Sequence, residues 1–158
     1  MENPGPVISL NFGDNQIILN VVKDNDSDRS KTLWVGLMQD ILSRLQHEPA
    51  TAYELEVTIA DIEDSLMPII SKLPERRYLA TSEPAISQIA MIAGFGTDEP
   101  VDLTMETVEL LYNCLVDMAY GTPSARLGVP ETREFAAAVL FLRELMHHAG
   151  FDVVHIRP

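Results

Sequence analysis

The sequence predicts an α+β domain: four or five helices packed on a small, mostly antiparallel sheet made of an N-terminal β-hairpin and a C-terminal strand. Three observations carry this reading. Residues 7–22 alternate apolar and polar side chains around a turn, several later segments repeat apolar residues every three or four positions, and the last segment, Phe151 to Ile156, alternates again. At 158 residues the chain fits one domain spanning 1–158.

The hairpin comes first. Ile8, Leu10 and Phe12 alternate with Ser9 and Asn11, and Gly13-Asp14-Asn15 supplies residues that tolerate positive φ. Ile17, Leu19 and Val21 continue one apolar face, while Ile18 and Val22 make the second strand apolar on both sides. A charged linker, residues 24–30, follows. Leu33, Leu37, Ile41 and Leu45 then recur every four residues, which predicts an amphipathic helix capped by Ser30 or Thr32 and ending near His47.

Residues 52–60 carry two signals. Tyr53, Leu55, Val57 and Ile59 alternate as in a strand, but Leu55, Ile59, Ile62 and Leu66 form a longer helical stripe. Thr51 and Glu54 also have capping-box spacing, so the helix is the favoured reading, ended or kinked by Pro68. Residues 74–82 read as a connector. A short helix follows Pro84, another opens at Asp102 or Thr104, and a last one begins at Pro130-Glu131. Phe135 to Leu142 is apolar almost all round, which places that helix at the centre of the core, with Gly150 as its left-handed exit. The terminal strand is expected to pair with the hairpin.

Composition narrows function. The chain carries 24 acids against 11 bases, a net charge of −13. Such a surface repels phosphate backbones and anionic lipid, so no nucleic-acid or membrane partner is expected; a basic protein partner is. No apolar run reaches the length of a membrane span, no secretory signal opens the chain, and Cys114 is the single cysteine. A cytoplasmic location is the expectation. The oligomeric state is left open.

Phosphate-loop, nucleophile-elbow and dinucleotide glycine motifs are absent from the sequence. Asp24, Asp26 and Asp28 match the start of a calcium loop, but Arg29 and Val35 stand where it needs glycine and a final carboxylate. The densest acidic run, Glu54, Glu56, Asp61, Glu63 and Asp64, reads as a docking face for a cationic partner. Arg76 and Arg77 form the basic cluster and are candidates for holding an anion. Glu144, His147 and His148 are the metal candidates: Glu-x-x-His spacing suits a carboxylate-bridged ion, although last-turn histidines also complement the helix dipole. Glu106 with Glu109, and Glu131 with Glu134, are two Glu-x-x-Glu pairs that, facing each other, could hold Mg²⁺ over a pyrophosphate substrate, although first helical turns favour acids electrostatically and antiparallel helices would set the pairs at opposite ends.

The expectation is therefore a non-catalytic interaction factor, an accessory, chaperone-like adaptor or inhibitor, with no cofactor. The alternative is a small metal-dependent hydrolase using clustered carboxylates.

Overall fold

A computed structural model describes residues 5–22, 30–75, 77–96 and 98–158. It is α+β, with six helices on a six-stranded mixed sheet. The strands are β1 (Val7–Asn11), β2 (Gln16–Val22), β3 (Lys31–Leu37), β4 (Tyr78–Thr81), β5 (Val101–Thr104) and β6 (Val153–Ile156). The helices are α1 (Met38–Arg44), α2 (Ala52–Ile70), α3 (Pro84–Ile92), α4 (Met105–Ala119), α5 (Ser124–Leu127) and α6 (Arg133–Ala149).

Strand order is β3-β2-β1-β4-β6-β5. β1, β4 and β6 run parallel side by side, while β2, β3 and β5 pair antiparallel with their neighbours. The parallel strands advance in one direction across the sheet. Right-handed crossovers then put the connecting helices on one face. Burial agrees: Ile8, Leu10, Leu19, Leu79 and Val154 on that face are fully buried. The opposite face carries the half-exposed Trp34 and Tyr78, the Thr32–Asn20 hydrogen bond (2.9 Å) and the Asp102–His155 pair (2.7 Å).

The hairpin forms as the alternation requires, with Asp14 and Asn15 at φ 49° and 67° in the turn. The sheet differs from the expectation in three ways. β6 pairs with β4 and β5, not with the hairpin. Residues 31–37 are a strand, not the first turns of a helix, and only 38–44 are helical. Leu33 and Val35 point into the core with Trp34 outward, a period of two that the four-residue repeat of leucines disguised. β4 is a four-residue strand in the stretch read as a connector, and β5 is another at the point where a helix was expected to open. Too short for a periodic signal, they are held by partners distant in sequence.

The helical segments follow local chemistry more closely. α2 starts on a complete capping box: Thr51 Oγ1 accepts from the Glu54 N–H at 3.1 Å and Glu54 Oε1 accepts from the Thr51 N–H at 2.9 Å. It continues past Pro68 to Ile70. Thr104 caps α4 through the Thr107 N–H. α6 begins at Arg133, with Thr132 as its cap and Glu48 accepting from the Arg133 N–H at 3.1 Å.

α6 is the centre. Every residue from Phe135 to Leu142 is buried, and the helix packs against α2, α3 and α4 as well as the sheet. Phe141 meets the Phe12 ring edge-on at 5.7 Å between centroids. Removing a fully buried ring leaves a cavity its rigid surroundings cannot close. Phe141→Ala is expected to lower the unfolding free energy by about 3–5 kcal/mol, measured by urea denaturation followed by circular dichroism.

Candidate functional site

Ligands of open α/β sheets bind beyond the carboxyl ends of parallel strands. Here β1, β4 and β6 end together, and their ends are laced by short polar contacts. Thr81 Oγ1 donates to the Leu10 carbonyl at 2.8 Å and accepts from the Glu83 N–H at 2.9 Å. Glu83 Oε2 accepts from the Phe12 N–H at 3.0 Å. The Arg157 N–H donates to the Thr81 carbonyl at 2.9 Å, bringing that exposed arginine to the same edge. The turn of the hairpin overhangs it. Asn15 Oδ1 accepts from the Gln39 N–H at 2.6 Å, which ties the turn to α1 and leaves Asp14 exposed.

The beginning of β2 and the end of β3 lie at this edge too, because both pair antiparallel. From there a cleft of about 690 Å³ opens between the sheet, α1 and α2. Asp40, Arg44, His47, Glu54, Asp61 and Asp64 are among its lining residues.

The acidic run of α2 is divided among different environments. Glu54 is buried and accepts from the Gln46 N–H at 2.8 Å and contacts His47 Nδ1 at 3.0 Å, besides its capping role. Burial pushes its pKa up. The Thr51 N–H, His47 and the Gln46 N–H outweigh this and hold it at about 2, below the ordinary 4.5. Asp61 and Asp64 face the cleft, Asp61 against Arg44 at 2.6 Å. Glu56 is exposed, and Glu63 turns towards α6.

There Glu63 meets Glu144 and His148. The His148 Nε2 lies 3.6 Å from Glu63 Oε1 and 3.6 Å from Glu144 Oε1. Glu144 is buried, and its other oxygen accepts from Arg143 at 2.8 Å. Arg143 also donates two hydrogen bonds to Glu109 and stacks on Tyr112, 3.9 Å from the ring centroid. Burial pushes the Glu144 carboxyl upward; Arg143 opposes this, and the neighbouring Glu63 reinforces it. His147 is exposed beside His148, their rings edge-to-face.

Other residues singled out from the sequence fall elsewhere. Arg77 donates to the carbonyls of Pro74 and Ala149 and stacks on Phe151, fastening β4 to the end of α6; Arg76 lies outside the described residues. Asp24, Asp26 and Asp28 also lie outside them. Glu109 reaches Arg143 near the far end of α6, whereas Glu134 stands in the first turn of that helix, so the two Glu-x-x-Glu pairs do not meet. Cys114 is a half-buried free thiol whose pKa burial, aided by Asp117, pushes up. Thr81, Glu83 and Arg157 were not singled out by sequence. Their proximity depends on β1, β4 and β6 being neighbours, and no local pattern announces that.

The described residues define an α+β class: helices packed on a six-stranded mixed sheet whose three parallel strands end together at one edge. No protein-family model and no curated protein matches the chain. Among solved structures it is similar to the Ppx/GppA phosphatase of Aquifex aeolicus in its type II crystal structure, with a TM-score of 0.74 at 13% identity, over 98% of this chain and 53% of that one. An exopolyphosphatase from Cytophaga hutchinsonii gives 0.70 at 12% identity, over 98% and 53%. An exopolyphosphatase-like protein gives 0.66 at 12%, over 92% and 49%. The chain thus spans about half the length of the structures it matches. These likenesses correct the expectation of a non-catalytic adaptor or chaperone-like factor: the architecture it shares is that of phosphatase structures. Among the described residues no helix is long and apolar enough to cross a membrane.

Glu54 makes stability depend on acidity. Its pKa is depressed on folding, so its contribution is complete above 4.5 and disappears as pH falls towards 2. Glu54→Gln is expected to cost about 2–3 kcal/mol at neutral pH and to flatten the stability profile in that window, read from thermal melts across pH.

Proposed function

We propose that the chain is a phosphohydrolase domain that works on a phosphoanhydride or phosphate ester at the carboxyl edge of β1, β4 and β6. One observation supports this above the rest: nearly the whole chain superposes on half of phosphatase structures, and its ligand-side sheet edge is lined with exposed polar groups. The likeness alone concerns fold; the chemistry rests on the residues at that edge.

Arg157 brings a guanidinium there, suited to phosphoryl oxygens. Asp14 and Glu83 bring carboxylates, which repel a bare phosphate. Asp14 and Glu83 would face a divalent ion accompanying the substrate, which would offset that repulsion and supply Lewis-acid chemistry at the phosphoryl oxygens. Glu83, steadied by the Phe12 N–H, is assigned as the general base. It takes a proton from water as the water oxygen bonds to phosphorus. The bridging P–O bond breaks, its electron pair stays on the leaving oxygen, and the proton passes to that oxygen.

The purified chain is expected to release orthophosphate from polyphosphate or p-nitrophenyl phosphate in the presence of Mg²⁺ or Mn²⁺. Glu83→Gln preserves an acceptor for the Phe12 N–H and is expected to slow release about 10²- to 10⁴-fold without lowering the melting temperature. No release from either substrate, or an unchanged rate in Glu83→Gln, rejects the assignment.

A further inference from the structure

We infer that Glu63, Glu144 and His148 form a binding site for a transition-type divalent cation, with zinc as the fitting example, in the groove between α2 and α6. The inference is independent of the proposed hydrolysis. Both the helices' connection to the following strands and the position of these residues along them set the group away from the carboxyl edge of the sheet: β4 and β6 begin where α2 and α6 end.

The geometry is the first argument. One ligand atom from each of the three side chains lies within 4.8 Å of the others. Two donors bound about 2.1 Å from one tetrahedral ion sit about 3.4 Å apart. The two separations of 3.6 Å from His148 Nε2, to Glu63 and to Glu144, are close to that spacing. They are too long for hydrogen bonds, which would bring N and O to about 3 Å.

The second argument is the state of the imidazole. His148 Nε2 is shielded from solvent and makes no hydrogen bond among the described residues. A buried polar atom without a partner costs free energy. An ion between Nε2 and the two carboxylates satisfies it directly.

Charge is the third. Among the described residues the ion pairs of this neighbourhood set Glu63, Glu109 and Glu144 against the guanidinium of Arg143 and the His148 ring. Arg143 engages Glu109 with two nitrogens and only one oxygen of Glu144, at 2.8 Å. The other Glu144 oxygen points towards His148 and Glu63. Arg143 therefore acts as a positioning residue, holding the buried carboxylate in place through the oxygen a metal does not need.

The donor set selects the ion. An imidazole with two carboxylates suits zinc and its first-row neighbours, whereas calcium and magnesium prefer all-oxygen shells. Three protein ligands leave a fourth position for water, and the Glu63 side chain, 42% exposed, gives that position a route to solvent.

The test uses the full chain stripped with EDTA. Zinc titrated calorimetrically is expected to bind at one site per chain, and cobalt is expected to develop the visible absorption of a tetrahedral centre. Glu63→Gln and His148→Gln should each weaken binding at least about tenfold, while His147→Gln, altering an exposed neighbour, leaves it unchanged. Circular dichroism verifies folding, and Glu63→Gln decides alone if His148→Gln does not fold. Absence of stoichiometric zinc binding overturns the inference. So does undiminished binding in Glu63→Gln, or loss of binding in His147→Gln alone.

Discussion

Between Phe135 and Leu142, α6 has no side that faces water, and the other elements are arranged to keep it so. α1, α2, α3 and α4 pack against it, and its apolar residues share one core with those of the sheet. A helix of this kind cannot be left at a surface without exposing a large apolar area. Its burial also explains why polar residues stand only at its two ends: Arg133 and Glu134 open the helix, and in its later turns Glu144 is tied to Arg143 and Arg143 to Glu109 on α4. That ordering keeps charged groups out of the deep core except at Glu144, which is buried beneath Arg143.

The same constraint sets the sheet. The crossovers from β1 to β4 and from β4 to β6 advance the same way, so their helices share a face with α6 among them. The parallel strands then end in register at one edge, where Thr81 and Glu83 bind the end of β1. This edge is a product of topology: Leu10 and Thr81 are far apart in sequence and meet because their strands are neighbours.

What could be read in the sequence follows from the range of each signal. The Asp14–Asn15 turn, the Thr51–Glu54 box, the buried run of α6 and the Gly150 exit, at φ 75°, are written in adjacent residues. β3 was hidden because Leu33 and Leu37 satisfy a helical repeat as well as a strand's alternation, and only pairing with β2 decides between them. β4 and β5 carry too few residues to show a period. The candidate site was legible in part. Glu144 and His147 stood out by spacing, with His148 beside them; the fold leaves His147 exposed and sets Glu144 and His148 against Glu63, an acid read from sequence as part of a docking face. Net charge misled in the same way: it counts carboxylates without saying that Glu54 is buried in a cap and Glu144 beneath an arginine.

Among the described residues the far face of the sheet is half-exposed, and exposed β-surfaces invite other chains to stack on them. This one is laid with polar pairs. Thr32 with Asn20, and His155 with Asp102, sit across neighbouring strands, so a second sheet pressed flat against them would have to strip their hydration. Such pairs make indiscriminate adhesion costly while leaving the Trp34 and Tyr78 rings available for a better-matched neighbour.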